Sequence, residues 1–115
     1  MDGPSTIEAR MRADLPGAMK ARDQVAVTAL RTALAAIANA EAPPAVSSGW
    51  VEPVLGEQHE HPRLVLTEAD VRAVVHREIA ARRATISELA SAGASVHAEV
   101  ASLQAQSDLL ESYLS

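Results

Sequence analysis

The sequence contains no cysteine and no phenylalanine, and it has a single tryptophan (Trp50) and a single tyrosine (Tyr113). Without cysteine there is no disulfide framework, no thiolate zinc site and no thiol nucleophile. That usage fits a reducing compartment, and the expected location is the cytoplasm. Scarce aromatics argue against a sheet, because strands recruit aromatic and β-branched side chains. No apolar run approaches the roughly 20 residues that span a bilayer, so no membrane partner is expected. The opening Met1-Asp2-Gly3-Pro4-Ser5 lacks the cationic and then apolar run of a secretion signal. Positive charge is also short: 10 Lys and Arg stand against 15 Asp and Glu, a net charge of −5. That balance argues against a surface dedicated to nucleic-acid phosphates.

What is plentiful is small aliphatic residues. Hydrophobic side chains make up 48% of the 115 residues, with alanine dominant. This is too apolar for a disordered tail and sufficient for one modest core. Alanine is the best helix former, and small side chains let helix axes approach closely. The expected fold is all-α: a small bundle of four main helices in a single domain (1–115), with a long Pro-rich linker between the second and third.

The spacing of apolar residues places the helices. The first is expected from about Thr6 to Lys20, capped by Ser5 or Thr6, with Ile7, Met11, Leu15 and Ala18 on one stripe. Pro16 should kink it or end its regular part. The second begins at the N-cap Asp23 and runs to about Ala40, with Ala26, Val27, Leu30, Ala33, Leu34 and Ile37 on its inner side. Pro43, Pro44, Pro53 and Pro62, with Ser47, Ser48 and Gly49, mark residues 42–66 as the linker. The third helix opens at Thr67-Glu68-Ala69-Asp70, a capping box with Asp in the place of Glu or Gln. Its stripe is Val71, Val75, Ile79, Ile86 and Leu89, and Gly93 supplies its stop. The fourth is expected from about Ser95 to Tyr113. Its seam of Val96, Val100, Leu103, Leu110 and Leu114, with Ser107 in the gap, suits antiparallel packing on the third.

Two blocks of the sequence resemble a known family. Arg12-Ala13-Asp14-Leu15, Ala18-Met19-Lys20-Ala21-Arg22-Asp23, Leu30-Arg31 and Ala35-Ala36-Ile37-Ala38-Asn39-Ala40-Glu41 look like the opening helices of YqeY proteins. Leu66-Thr67-Glu68, Val71, Val74, Arg77-Glu78-Ile79, Arg82-Arg83, Ile86, Ala92-Gly93 and Leu109-Leu110-Glu111-Ser112-Tyr113-Leu114 continue the likeness. Residues 42–63 look like an insertion where relatives have a short connection. YqeY proteins usually continue into a second helical domain similar to the tail of the B subunit of the glutamine-dependent tRNA amidotransferase, and the likeness here covers the N-terminal domain. The resemblance implies a link to tRNA-dependent amidation, a carbon–nitrogen ligase chemistry with glutamine as amide donor. It singles out Asn39 and Glu41 as well, for which a structural role at the helix end is expected.

Candidate functional residues are few. Arg82 falls near the centre of the Val75-Ile79-Ile86 stripe, where an apolar residue is expected. The plain reading is a stem that packs and a head that reaches water beside Glu78. The sharper one is a fork offered to a partner's carboxylate or phosphate. Lys20, Arg22, Arg31, Arg77, Arg82 and Arg83 are the candidate partner-binding residues, forming one basic face if the second and third helices pack together. As an RNA surface this set lacks stacking aromatics. His59-Glu60-His61 sits in the linker without a rigid frame, and no specific metal site is expected there. Glu68 and Asp70 are explained by the helix start. No nucleophile–base set, phosphate loop or HExxH motif occurs, so no catalytic residue and no cofactor is expected. The function expected is a non-catalytic interaction module with a protein partner in the amidotransferase or translation machinery. A weak RNA (tRNA) binder and a structural homodimer are the alternatives.

Overall fold

The computed structural model describes residues 6–41, 65–92 and 96–115. Within them lie four helices, α1 (Thr6–Lys20), α2 (Gln24–Glu41), α3 (Glu68–Ala92) and α4 (His97–Ser112), and no strand. The all-α, four-helix expectation is met among these residues. Most of the Pro-rich linker (42–64), with Trp50 and His59-Glu60-His61, and the Gly93 stop lie outside them.

The α1–α2 turn shows how local sequence sets the path. The Asp23 N–H donates to the Ala18 carbonyl at 3.0 Å and the Arg22 N–H to the Met19 carbonyl at 3.1 Å. This is a Schellman ending, and it requires a left-handed residue. Arg22 fills that place with φ 58°. Asp23 then caps α2, its carboxylate accepting from the Ala26 N–H at 3.1 Å. Replacing Arg22 with Gly removes the Cβ strain of the left-handed region, at a smaller cost in unfolded-chain entropy. Arg22→Gly is expected to raise stability by up to about 1 kcal/mol. Asp23→Ala is expected to lower it by about 1 kcal/mol. Urea unfolding followed by circular dichroism reads both.

α1 continues unbroken through Pro16 to Lys20, so the proline does not end it. Pro16 and Arg12, whose carbonyl loses its N–H partner, are both exposed, and solvent can take the missing bond. α3 opens on the reciprocal box read from the sequence. The Thr67 N–H donates to Asp70 at 2.9 Å and the Asp70 N–H to the Thr67 hydroxyl at 3.1 Å. These bonds, the backbone one foremost, hold the Asp70 carboxyl below the usual carboxylate range.

Ser5, one of the two caps expected for α1, lies outside the described residues, and a long-range bond is present at the start of this helix. The Glu68 carboxylate of α3 accepts from the Thr6 N–H at 2.7 Å and the Ile7 N–H at 3.3 Å. A carboxylate from the distant α3 thus meets the positive end of α1.

The core is contiguous. Ile7 and Met11 of α1, Leu30, Ala33 and Ile37 of α2, and Val71, Val75 and Ile79 of α3 are buried with Leu110 of α4. All of these lie on the stripes read from sequence. Leu15, Ala18, Leu34 and Leu114 pack against them. Arg72 reaches the Leu114 carbonyl at 2.6 Å and Arg82 reaches Gln106, so α3 and α4 run antiparallel. Beyond Arg82 no described residue of α3 is buried, and Ile86, Leu89, Val100 and Leu103 are half-buried. No helix among the described residues is long and apolar enough to cross a membrane.

Candidate functional site

The helical stripe turns position 82 inward, and Arg82 is 8% exposed. Its Nε donates to the Gln106 amide oxygen of α4 at 3.0 Å. One terminal nitrogen donates to the carbonyl and the carboxylate of Glu78, at 2.9 and 3.1 Å. The other donates to the Thr32 hydroxyl of α2. That hydroxyl donates onward to the Thr28 carbonyl at 2.8 Å. One guanidinium therefore joins three helices. The expectation that its head reaches water is corrected: Gln106 and Thr32, brought up only by the fold, replace the water. Burying the charge carries a desolvation cost, and Glu78 supplies the opposite charge beside it. Among the described residues no buried side-chain nitrogen or oxygen lacks a partner.

The other five candidates remain exposed but do not form one face. Arg31 donates to the Met19 sulfur at 3.8 Å, which draws its head to the last turn of α1, beside Lys20 and Arg22. Arg77 lies near the opposite end of α2. It lines a shallow groove of about 430 Å³ with Ala40, Val65, Leu66, Asp70, Ala73 and Val74. At 1.5 Å per residue, the start of α2 and Ala40 are about 24 Å apart. Arg83 pairs with Glu111 of α4 at 3.2 Å, both side chains more than half exposed. Such a pair is worth at most ~1 kcal/mol, so Arg83 stays available to a partner. The single basic face thus separates into a cluster at the α1–α2 turn, an isolated Arg77 and a weakly paired Arg83. Asn39 is exposed and Glu41 half-buried at the end of α2.

A second polar contact was not legible in the sequence. The Tyr113 hydroxyl donates to the Asp14 carboxylate of α1, and the Arg10 guanidinium lies 5.0 Å from the ring centroid. Tyr113 is 5% exposed. Burial, then the hydrogen bond to Asp14 and its charge, push its pKa up to about 12 from 10.0, against a lowering by Arg10. The sign follows from which state ionises first. Between pH 10 and 12 the unfolded chain loses the phenolic proton and the folded chain keeps it, so stability is full below 10 and falls on the way to 12. Tyr113 is the chain's one tyrosine, so absorbance of the tyrosinate reports it alone. The folded chain is expected to titrate near pH 12, and Tyr113→Phe is expected to flatten the alkaline loss of stability.

These geometries offer little for a reaction. The groove holds one carboxylate, already bonded to Thr67, and one guanidinium. Among the described residues no group of three or more His, Asp or Glu is placed to hold a metal ion. Among the described residues, the groups whose pKa departs from its ordinary value, Asp70 and Tyr113, cap a helix and tie helices together. Comparison with protein-family models, with curated proteins and with solved structures gives no match for this chain.

Proposed function

We propose that this chain is a non-catalytic helical interaction module. The observation that carries the reading is the use of its inward polar groups. Arg82, Gln106 and Tyr113 are engaged in joining helices, with Glu78 beside Arg82 on its own helix and the exposed Asp14 accepting from Tyr113, and the groove gathers no nucleophile, base and orienting group. Among the described residues, what is left for a partner is an exposed helical surface with scattered cations. The resemblance of both sequence blocks to the N-terminal domain of YqeY proteins points to the partner's class: a component of the glutamine-dependent tRNA amidation machinery, a carbon–nitrogen ligase. The purified chain, tagged and mixed with the amidotransferase subunits of its own organism, is expected to retain the B subunit through a wash at physiological salt. Recovery equal to that with an untagged control contradicts the partner assignment.

One observation favours the RNA reading as a second choice, namely the gathering of Lys20, Arg22 and Arg31 at the α1–α2 turn. Three phosphate contacts give weak, salt-sensitive binding. Anisotropy of labelled tRNA at low salt, lost in a Lys20→Gln, Arg22→Gln, Arg31→Gln variant, supports it. No binding at low salt removes it.

A further inference from the structure

The connections at residues 21–23 and 93–96 are short, so the α1–α2 and α3–α4 pairs are each closely tethered. Residues 42–67 separate the two pairs, and a connection of that length leaves many offsets within reach. The apolar surface between the pairs discriminates weakly among those offsets. α2 offers Ala29, Leu30, Ala33 and Ile37, and α3 offers Val71, Val75 and Ile79. After a slide of one turn the places of Ala29, Leu30 and Ala33 fall to Ala33, Leu34 and Ile37 in one direction and to Val25, Ala26 and Ala29 in the other, aliphatic again, while Ile37 gives place to Glu41 or Ala33.

We propose that Arg82 and Glu68 together act as register pins, selecting one alignment of the α3–α4 pair on the α1–α2 pair. Both cross between the pairs: Arg82 to the Thr32 hydroxyl and Glu68 to the free N–H groups at the start of α1. A one-turn slide is about 5.4 Å. In one direction it carries Arg82 opposite Ala36, which offers no side-chain acceptor. In the other it carries Arg82 opposite Thr28, a hydroxyl, but moves Glu68 off the first turn of α1 and onto N–H groups already bonded within the helix. The first slide also draws Glu68 past the start of α1, so both pins oppose it; the second is opposed by Glu68 on α1, and the pair excludes both. A buried polar group placed as Arg82 is contributes more to uniqueness than to stability.

The absence of cysteine permits a direct test. Spin labels on Ala35→Cys of α2 and Ala90→Cys of α3, both exposed positions, report the axial offset by pulsed electron resonance. The parent is expected to give a single distance. Arg82→Met, which keeps the stem and removes the fork, is expected to add a second population, shorter by up to about 5 Å. Thr32→Val removes only the α2 end of the pin and leaves Arg82 bonded to Glu78 and Gln106. It is expected to show the same second population in smaller amount, and it decides the matter if Arg82→Met does not fold. A single parental distance in Thr32→Val, and in Arg82→Met where that variant folds, overturns the proposal.

Discussion

Arg82→Ala is expected to lower the free energy of unfolding by about 3 kcal/mol, the low end of the range for breaking a buried ion pair. The truncation removes a buried stem, leaves the Gln106 oxygen without its donor, and strands the Glu78 charge. Gln106 is 7% exposed and cannot simply turn to water. Glu78 has a side chain 26% exposed and can rehydrate in part, which places the loss low in the range. For a domain whose total stability is of order 5–15 kcal/mol, this is a large fraction. Urea unfolding gives the number. A loss below about 0.5 kcal/mol would place Arg82 with ordinary surface arginines. Arg82→Met restores the packing of the stem and is expected to recover part of the loss, so the two variants separate packing from charge.

Leu110→Ala is expected to cost a similar amount, about 3 kcal/mol, through the cavity it leaves. Leu110 is fully buried. Its site is walled by helices joined through polar contacts at Arg82 and Tyr113, so the walls have little freedom to close in. The midpoint in urea should fall with the slope unchanged, which is the signature of lost native stability. An effect under 1 kcal/mol would mean that α4 lies less closely on the core than its burial indicates.

Much of the fold could be read from one dimension because its determinants are local. Asp23 caps α2 within three residues of itself, and Thr67 and Asp70 bond each other across the same interval. The stripes Ile7-Met11 and Val71-Val75-Ile79 repeat at helical spacing, and burial follows them. The unforeseen features are long-range ones. No periodicity announces that Glu68 will cap α1 or that Tyr113 will meet Asp14, since those partners are far apart in sequence. Ala29, Val74 and Gln106 lie off the expected stripes and are buried, Gln106 against Arg82 of α3. Pro16 shows the reverse case: α1 runs on past it, since an exposed carbonyl tolerates losing its partner.

The candidate site follows the same division. Helical geometry gave the inward position of Arg82 and its pairing with Glu78 four residues earlier. The direction of the guanidinium depended on Thr32 and Gln106, on two other helices. The expected basic face failed to hold together for a related reason. Packing of α2 on α3 does bring the helices side by side, yet Arg31 turns toward α1 and Arg77 sits near the far end of α2. Side-by-side helices do not by themselves align charges that lie at different heights.

The most direct test is the hydrogen-exchange rate of the Arg82 Nε–H, observed by nitrogen-15 NMR and assigned with Arg82→Lys. A buried Nε–H bonded to Gln106 is expected to exchange far more slowly than those of exposed arginines such as Arg22 and Arg77, and to lose that protection in Gln106→Leu. Exchange as fast as at Arg22 and Arg77 would contradict the claim that this charge joins helices in the interior.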